Sequence, residues 1–148
     1  LEGILKSLVF LSLIGGATLL GHPMLPAAPL EAAHVWLSVW LLGVGCGLVV
    51  SAGGALISEL GRFVRMAMLP MFMLSGAIIP VQMLPHAVQQ KMLYNPVLHG
   101  LESLRLCFFP LYKTVQGVDL LYVWLSALAA LALGLALHVR FARQLKMQ

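Results

Sequence analysis

Long apolar stretches separated by short polar breaks dominate the pattern of this sequence. The stretches cover residues 4–20, 35–57, 66–84 and 120–139. The second has 23 residues and no charge, so as a helix it would reach about 34 Å, enough to cross a hydrocarbon core of about 30 Å. The first contains Lys6, whose ammonium can extend to the interface. We therefore predict an all-α membrane protein with four transmembrane helices.

The third stretch differs from the others because residues that break helices interrupt it. Pro70, the pair Ser75–Gly76, and Pro80 all lie within it. A proline removes a backbone donor and kinks a helix. Carbonyls freed in this way are tolerated at membrane depth only where they face protein or a water-filled cavity. We expect this span to border a polar path, and a kinked packing helix is the alternative.

Residues 85–109 predict two short helices rather than a full span. Pro85 suits the start of a helix that runs to Tyr94, and Asn95 followed by Pro96 is typical of a helix N-cap and first position. The second helix, residues 96–108, would cover only about 20 Å, too short to cross the membrane. We predict two re-entrant half-helices that dip into the outer leaflet and return to the same side.

Three polar residues recur at a spacing of three in the second half-helix, namely His99, Glu102 and Arg105. This spacing places them roughly on one helix face. A Glu or an Arg exposed to lipid would cost several kcal/mol, so each should pair or face water. Two interpretations stay open: a satisfied cluster that holds the half-helices together, or direct contact with a substrate.

Small residues recur every four positions in two of the predicted spans. One set is Gly43, Gly47, Ser51 and Ala55, and the other is Ser126, Ala130, Gly134 and His138. Such stripes allow two helix backbones to approach closely. We expect both stripes to serve helix packing.

Composition and charge support a membrane location and fix an orientation. The chain is 61% hydrophobic and 9% charged, which leaves too little polar surface to cover a water-soluble globule. The net charge of +4 would suit nucleic acid, but most basic residues lie just beyond apolar stretches, so no nucleic-acid partner is expected. Positive residues favour the cytoplasm, and we predict cytoplasmic ends from Lys6, Arg62, Arg65, Arg140, Arg143 and Lys146.

Several kinds of chemistry lack their sequence motifs. The chain has no G-x-x-x-x-G-K-[ST] phosphate loop, so ATP chemistry would have to come from another subunit. Cys46 and Cys107 do not form a C-x-x-C pair. His99 and Glu102 are too few for a zinc site, and no metal is expected.

An intramembrane serine hydrolase is a weak alternative. Ser75 precedes Gly76 in a position where a strained turn is expected. The rhomboid-type Gly-x-Ser-Gly pattern would require glycine in place of Met73, and Asn95 is the only evident oxyanion partner.

The order of these features resembles the permease subunits of ABC-2 type transporters. The resemblance lies in residues 69–76, in Ile79–Pro80 and Leu84–Pro85, and above all in residues 94–105, which read N-P-x-x-H-x-x-E-x-x-R from Asn95. It is closest to the branch that exports capsular polysaccharide and O-antigen in Gram-negative bacteria. It covers essentially the whole chain and is strongest over residues 43–140.

The resemblance implies a larger assembly in the bacterial inner membrane. Family members have six transmembrane helices, with two re-entrant helices before the last, so this chain would supply the third to sixth. The chain opens at Leu1 without an initiator Met, and we expect it to be the C-terminal portion of a longer protein. The family works as a homodimer in which each copy joins a separate ABC ATPase subunit. That partner uses ATP and Mg, this chain binds no cofactor, and a lipid-linked polysaccharide passes between the two copies.

The resemblance also implies roles for particular residues. The half-helices would form a periplasmic gate beside the translocation path, and a cytoplasmic turn with Glu59, Arg62 and Arg65 would lie close to the ATPase. The gate and path residues would be Tyr94, Asn95, Pro96, His99, Glu102, Arg105, Ser75 and Gly76. Other ABC-2 exporters, of lipids, drugs or another polymer, share this architecture. A four-helix membrane scaffold without a transport role is a further alternative.

Overall fold

The computed structural model describes residues 2–20, 25–57, 59–78 and 80–141, and this part of the chain contains helices and no strands. The predicted all-α class is confirmed. The predicted features at Ser58, Arg143 and Lys146 lie outside the described residues. The helices are α1 (Glu2–Leu19), α2 (Pro29–Leu56), α3 (Leu60–Met73), a 3₁₀ turn (Val81–Met83), α4 (His86–Met92), α5 (Pro96–Phe108) and α6 (Leu120–Arg140).

Two of the described helices are long and apolar enough to cross a membrane by length and composition. They are Pro29–Gly54 within α2, with a mean hydropathy of 2.0, and Leu120–Arg140, with a mean hydropathy of 2.2. Helix α2 begins six residues before the predicted span because Pro29 suits the first turn and Glu31 complements the helix dipole there. Large apolar side chains such as Trp36, Leu125 and Leu133 are exposed along both helices, so these surfaces suit lipid better than water.

Helices α2 and α6 run side by side in the same direction and touch through glycines. A Cβ on Gly45 would lie 2.7 Å from the backbone nitrogen of Leu131, and one on Gly134 would lie 2.6 Å from the Cβ of Leu48. Near the start of both helices, the rings of His34 and Trp124 are 6.3 Å apart. The two helices therefore begin at the same end of the molecule.

The two small-residue stripes have different outcomes. Ala130 and Gly134 of α6 pack against α2, as predicted. The α2 stripe does not form the α2–α6 contact: Gly43, Gly47 and Ser51 are exposed in the described chain, and the side chain of Ala55 is not described. The face of α2 that packs instead follows steps of three, four, three and seven residues through Val35, Ser38, Leu42, Gly45 and Ala52.

The third apolar stretch is not one helix over residues 66–84. Helix α3 begins at Leu60 and ends at Met73, so most of the predicted polar break over residues 58–65 is helical. Pro70 is accommodated inside the helix, and the chain turns at Gly76, whose φ of 75° is accessible to glycine at little cost. A 3₁₀ turn follows Pro80. The predicted interruption at residues 75–76 is confirmed. The helix does not end at Pro70, where a kink was predicted, but continues to Met73.

Two small apolar clusters position the half-helices: one packs them against each other, and the other joins α5 to α2. Val81, Met92, Leu98 and Val115 form the first, beneath the 3₁₀ turn, α4 and α5. The second joins the start of α2 to the end of α5 through Ala32, Val35 and Cys107. Between them, Gly100 of α5 faces Val39 of α2 so closely that a Cβ would not fit. The α4–α5 pair therefore lies at the end of the molecule where α2 and α6 begin.

Candidate functional site

Local sequence determines where the two half-helices begin and end. Asn95 Oδ1 accepts a hydrogen bond of 3.1 Å from the N–H of Val97, and Pro96 follows as the first helical residue, so the predicted start of α5 is confirmed. Helix α5 ends at Phe108, before Pro110 as predicted. Helix α4 is shorter than predicted, because Pro85 is its N-cap and the helix ends at Met92 rather than Tyr94.

A buried carboxylate lies at the centre of the site. The side chain of Glu102 is completely buried. Its Oε1 accepts hydrogen bonds from Arg105 at 2.6 Å and from the hydroxyl of Tyr112 at 3.0 Å, and its Oε2 accepts one from Gln82 Nε2 at 3.0 Å. We call Gln82, Glu102, Arg105 and Tyr112 the carboxylate cluster. Three donors on one buried carboxylate make the ionised form tolerable at this depth.

Arg105 extends the carboxylate cluster to the turn after α3. Its second terminal nitrogen donates to the carbonyl of Gly76 at 2.6 Å, and the positive φ of Gly76 belongs to the turn that brings this carbonyl to α5. Partial burial acts to lower the pKa of Arg105, but hydrogen bonds with Tyr112 and Glu102 outweigh it and the pKa is raised. The guanidinium therefore stays charged beside the carboxylate.

The carboxylate cluster joins four separate segments of the chain. Glu102 and Arg105 belong to α5, Gln82 to the 3₁₀ turn, Tyr112 to the loop after α5, and the carbonyl acceptors include those of Gly76 and Lys113. Among the described residues, no buried side-chain nitrogen or oxygen lacks a hydrogen-bond partner. A fully satisfied polar network of this kind rigidifies the elements that it connects.

His99 does not join the carboxylate cluster. Its Nδ1 accepts from the backbone N–H of Asp119 at 2.9 Å, and its Nε2 is 2.7 Å from the carbonyl of Leu93. Because a carbonyl accepts only, Nε2 must carry the proton, and the ring is the neutral Nε2–H tautomer. The ring also contacts that of Tyr122, with centroids 4.9 Å apart. His99 thus fastens the α4–α5 turn to the start of α6.

The start of α6 completes this second network. Asp119 is the N-cap of α6, and its side chain accepts a hydrogen bond of 2.9 Å from the N–H of Leu121. The hydroxyl of Tyr122 donates to the carbonyl of Tyr94 at 3.0 Å. The ring of Tyr94 itself is 81% exposed and forms no part of either network. The turn between α4 and α5 is therefore tied to the start of α6 both through His99 and through Tyr122.

The remaining predicted residues lie apart from this centre. Ser75 is buried, and its hydroxyl donates to the carbonyl of Phe72 at 2.6 Å. Both ring nitrogens of His99 are taken by backbone groups, so His99 is not placed to activate Ser75. Glu59 and Arg62 form an exposed ion pair of 3.0 Å at the α2–α3 corner, and Arg65 is exposed on the same helix. Within the described ranges, no three His, Cys, Asp or Glu side chains come together as a metal site.

Two members of the carboxylate cluster were missed by the sequence analysis. Gln82 lies 20 residues before Glu102, and Tyr112 lies 10 residues after it. Gln82 is a polar residue within an apolar stretch, and such a position indicates a buried hydrogen-bond partner. Tyr112 follows Pro110 in a loop, where nothing in the local pattern indicates which way its hydroxyl turns.

Comparison with known proteins places these features in a family. The model of the ABC-2 type transporter family matches residues 3–109, and the chain belongs to this family. It is 28% identical over 109 residues to the polysialic acid transport protein KpsM of Escherichia coli, covering 74% of this chain and 42% of that protein. It is 29% identical over 130 residues to the capsule polysaccharide export inner-membrane protein CtrC of Neisseria meningitidis serogroup A, covering 88% of this chain and 49% of that protein.

The chain therefore spans about half, or slightly less, of the length of the curated relatives that it matches. The resemblance found in the sequence, to ABC-2 permeases and closest to those of capsule export, is confirmed by these matches. The relatives are transport proteins, and CtrC is described as an inner-membrane protein.

Proposed function

We propose that this chain forms the C-terminal part of the permease subunit of an ATP-driven exporter, which moves a lipid-linked capsular polysaccharide or O-antigen across the bacterial inner membrane. The observation that carries this proposal is the similarity to two capsule-related transport proteins over most of the chain. The half-helix pair fits the proposal, because it offers a rigid polar structure at one end of two parallel apolar helices.

The path of the chain supports four crossings with a re-entrant pair between the third and the fourth. Helices α2 and α6 start at the same end, so residues 57–119 must return from the far end to the near one. Helix α3, about 21 Å long, and the turn after it make this return together: Leu60 at its start touches Gly53 near the end of α2, and Gly76 in the turn reaches Arg105. No further net crossing is then required. Helices α4 and α5, with 7 and 13 residues, would reach only about 10 and 20 Å.

The basic residues support the orientation. Arg62 and Arg65 lie in α3 near the corner where α2 ends, and Arg140 ends α6 at the same end of the α2–α6 pair. Positive residues are retained in the cytoplasm, so this end is cytoplasmic and the half-helices are periplasmic. We further propose that α1, with 18 residues, crosses in the direction opposite to α2, which puts both ends of the chain in the cytoplasm.

In this arrangement the half-helices act as the outer gate. The carboxylate cluster and His99 hold α4, α5 and the following loop together as one rigid unit. When the gate opens, these elements move together. Energy comes from a separate ABC ATPase that binds ATP and Mg, and the corner with Glu59, Arg62 and Arg65 is its docking position. A second copy of the permease completes the channel, since helix α3 has no buried residue and needs an apolar partner or lipid.

Surface polymer in a deletion strain tests the proposed function. Deleting the gene should leave the polymer inside the cell, and the full-length protein should restore it to the surface. Complementation with Glu102→Ala or Arg105→Ala should restore less surface polymer than complementation with Gln90→Ala, an exposed residue of α4. Unchanged surface polymer in the deletion strain, with loss of export of a lipid or a drug instead, would overturn the assignment of the cargo.

A further inference from the structure

A small polar cavity adjoins the carboxylate cluster and shares Gln82 with it. Its volume is about 270 Å³, and it is lined by Gln82, His86, Gln89, Thr114, Val115 and Gln116. These residues come from the 3₁₀ turn, from α4 and from the loop before α6. The volume lies just below the usual range for small-molecule sites, about 300–1,000 Å³. One sugar ring is of a suitable size.

Hydrogen bonds fix how two glutamines face this cavity. Gln82 Nε2 lies within hydrogen-bond distance of the Glu102 carboxylate at 3.0 Å, the carbonyl of Lys113 at 2.8 Å and the hydroxyl of Tyr112 at 2.7 Å, and Gln89 Nε2 donates to the carbonyl of Leu84 at 2.8 Å. The carboxylate and the two carbonyls only accept, so neither amide can be flipped. Each Oε1 must therefore point away from these partners.

Both amide oxygens are also accessible. Within the described part of the chain, every buried side-chain nitrogen or oxygen has a partner, and neither Oε1 of Gln82 nor that of Gln89 accepts a hydrogen bond from protein. These two half-buried residues thus offer acceptors to a ligand. Thr114 and Gln116 add a hydroxyl and an amide that can donate or accept, and buried Val115 adds an apolar floor.

The lining selects one class of ligand. None of the lining residues carries a carboxylate, an ammonium or a guanidinium group. Two fixed acceptor oxygens disfavour an anion and favour a ligand that donates hydrogen bonds, such as a hydroxyl. Two neutral oxygens are too few for calcium, which takes six to eight. An uncharged molecule with several hydroxyls around an apolar ring face matches these features.

We propose that this cavity binds one neutral sugar unit of the exported polysaccharide, through hydroxyls that donate to Gln82 Oε1 and Gln89 Oε1. The proposal rests on the proposed function, which supplies the polymer. In this arrangement Gln82 contacts the sugar through its amide oxygen and contacts Glu102 through its amide nitrogen. A donor bound at Oε1 polarises the amide and strengthens the bonds from Nε2, so an occupied site tightens the carboxylate cluster that braces the half-helices.

Binding to the purified full-length permease in nanodiscs tests the sugar site. The probe is a short oligosaccharide prepared from the surface polymer of the same cells, titrated by calorimetry. Thr114→Val removes a hydroxyl that makes no hydrogen bond within the protein and should weaken binding about fivefold, the effect of one neutral hydrogen bond. Gln90→Ala, outside the cavity, is the matched control and should bind like wild type. Equal affinity of Thr114→Val and wild type would overturn the site.

Photocrosslinking in cells provides a second, independent measurement. A benzophenone amino acid replaces Gln116 at the rim of the cavity or, as the control, Gln90. Illumination should attach periodate-stainable polymer to the protein at position 116 and not at 90. Equal products at both positions, or none at 116 while polymer still reaches the surface, would refute the site and leave the export function standing. Export that persists in the deletion strain refutes the function instead.

Discussion

Two Glu–Arg pairs at the same helical spacing give a direct test of the buried cluster. Glu102 and Arg105 are separated by 2.6 Å and their side chains are 0% and 24% exposed, whereas Glu59 and Arg62 are separated by 3.0 Å and are 55% and 72% exposed. Residue types and spacing are matched, and burial differs. Removing one partner of a buried pair costs about 3–5 kcal/mol, and an exposed pair contributes at most about 1 kcal/mol.

The two single substitutions at the buried pair should differ in a predictable order. Arg105→Ala leaves a fully buried carboxylate with only Tyr112 and Gln82 as donors, so we expect a loss of about 4 kcal/mol. Glu102→Ala leaves a guanidinium that is partly exposed and keeps the Gly76 carbonyl, so we expect about 3 kcal/mol. The double variant should lose less than the sum, with a coupling energy of about 2–3 kcal/mol.

Unfolding of the full-length protein by SDS in mixed micelles, followed by tryptophan fluorescence, gives the required free energies. The same cycle at Glu59 and Arg62 is the control and should show a coupling below about 1 kcal/mol. Equal coupling energies for the buried and the exposed pair would refute the claim that the carboxylate cluster braces the half-helices.

Three further predictions concern other contacts. His99→Ala leaves the N–H of Asp119 and the carbonyl of Leu93 without partners and should cost about 2–4 kcal/mol in the same unfolding assay, and a loss below 1 kcal/mol would contradict the two hydrogen bonds. Gly45→Ala forces a methyl group onto the backbone of α6 and should destabilise by about 1–3 kcal/mol, whereas Gly47→Ala has open space and should not destabilise, so equal losses would refute the α2–α6 contact. Burial raises the pKa of the Cys107 thiol, so a water-soluble maleimide should leave this residue unmodified until the protein unfolds, and rapid labelling of the folded protein by mass spectrometry would contradict its burial.

Sequence alone predicted what local chemistry determines. Asn95 caps α5 because its side chain accepts a hydrogen bond from the N–H two residues further on, a contact that depends on a few neighbouring dihedral angles. The ion pair between Glu102 and Arg105 follows from the helical spacing of three. These features needed no knowledge of the remaining fold.

The position of His99 shows where spacing misleads. Three residues turn a helix by about 300°, so each step of three drifts by about 60° around the axis. Glu102 lies between the other two, and His99 and Arg105 are therefore about 120° apart. Arg105 turns to the carboxylate cluster and His99 to the start of α6. A strict step of four drifts the other way, by about 40°, which is why the Gly43–Gly47–Ser51 stripe does not follow the packing face of α2.

Partners that are distant in the chain lay beyond the sequence analysis. Gln82 and Tyr112 reach Glu102 only because the turn at Gly76 and the loop after α5 bring their segments to the same place. No periodicity encodes that path. The end of α3 was predicted only in part: the interruption at Ser75–Gly76 was expected, and Gly76 has a positive φ there, but the stretch was expected to continue as a span to residue 84.

The central claim is that the half-helix pair enters and leaves on the periplasmic side. Single cysteines at Gln90 in α4 and at Gln116 after α5, in a full-length protein whose native cysteines are replaced by alanine, test it in cells with a permeable outer membrane. A membrane-impermeant maleimide should label both positions, while a cysteine at Arg62 should react only after the inner membrane is opened. Labelling at only one of the two positions, or at Arg62 before the membrane is opened, would contradict the account.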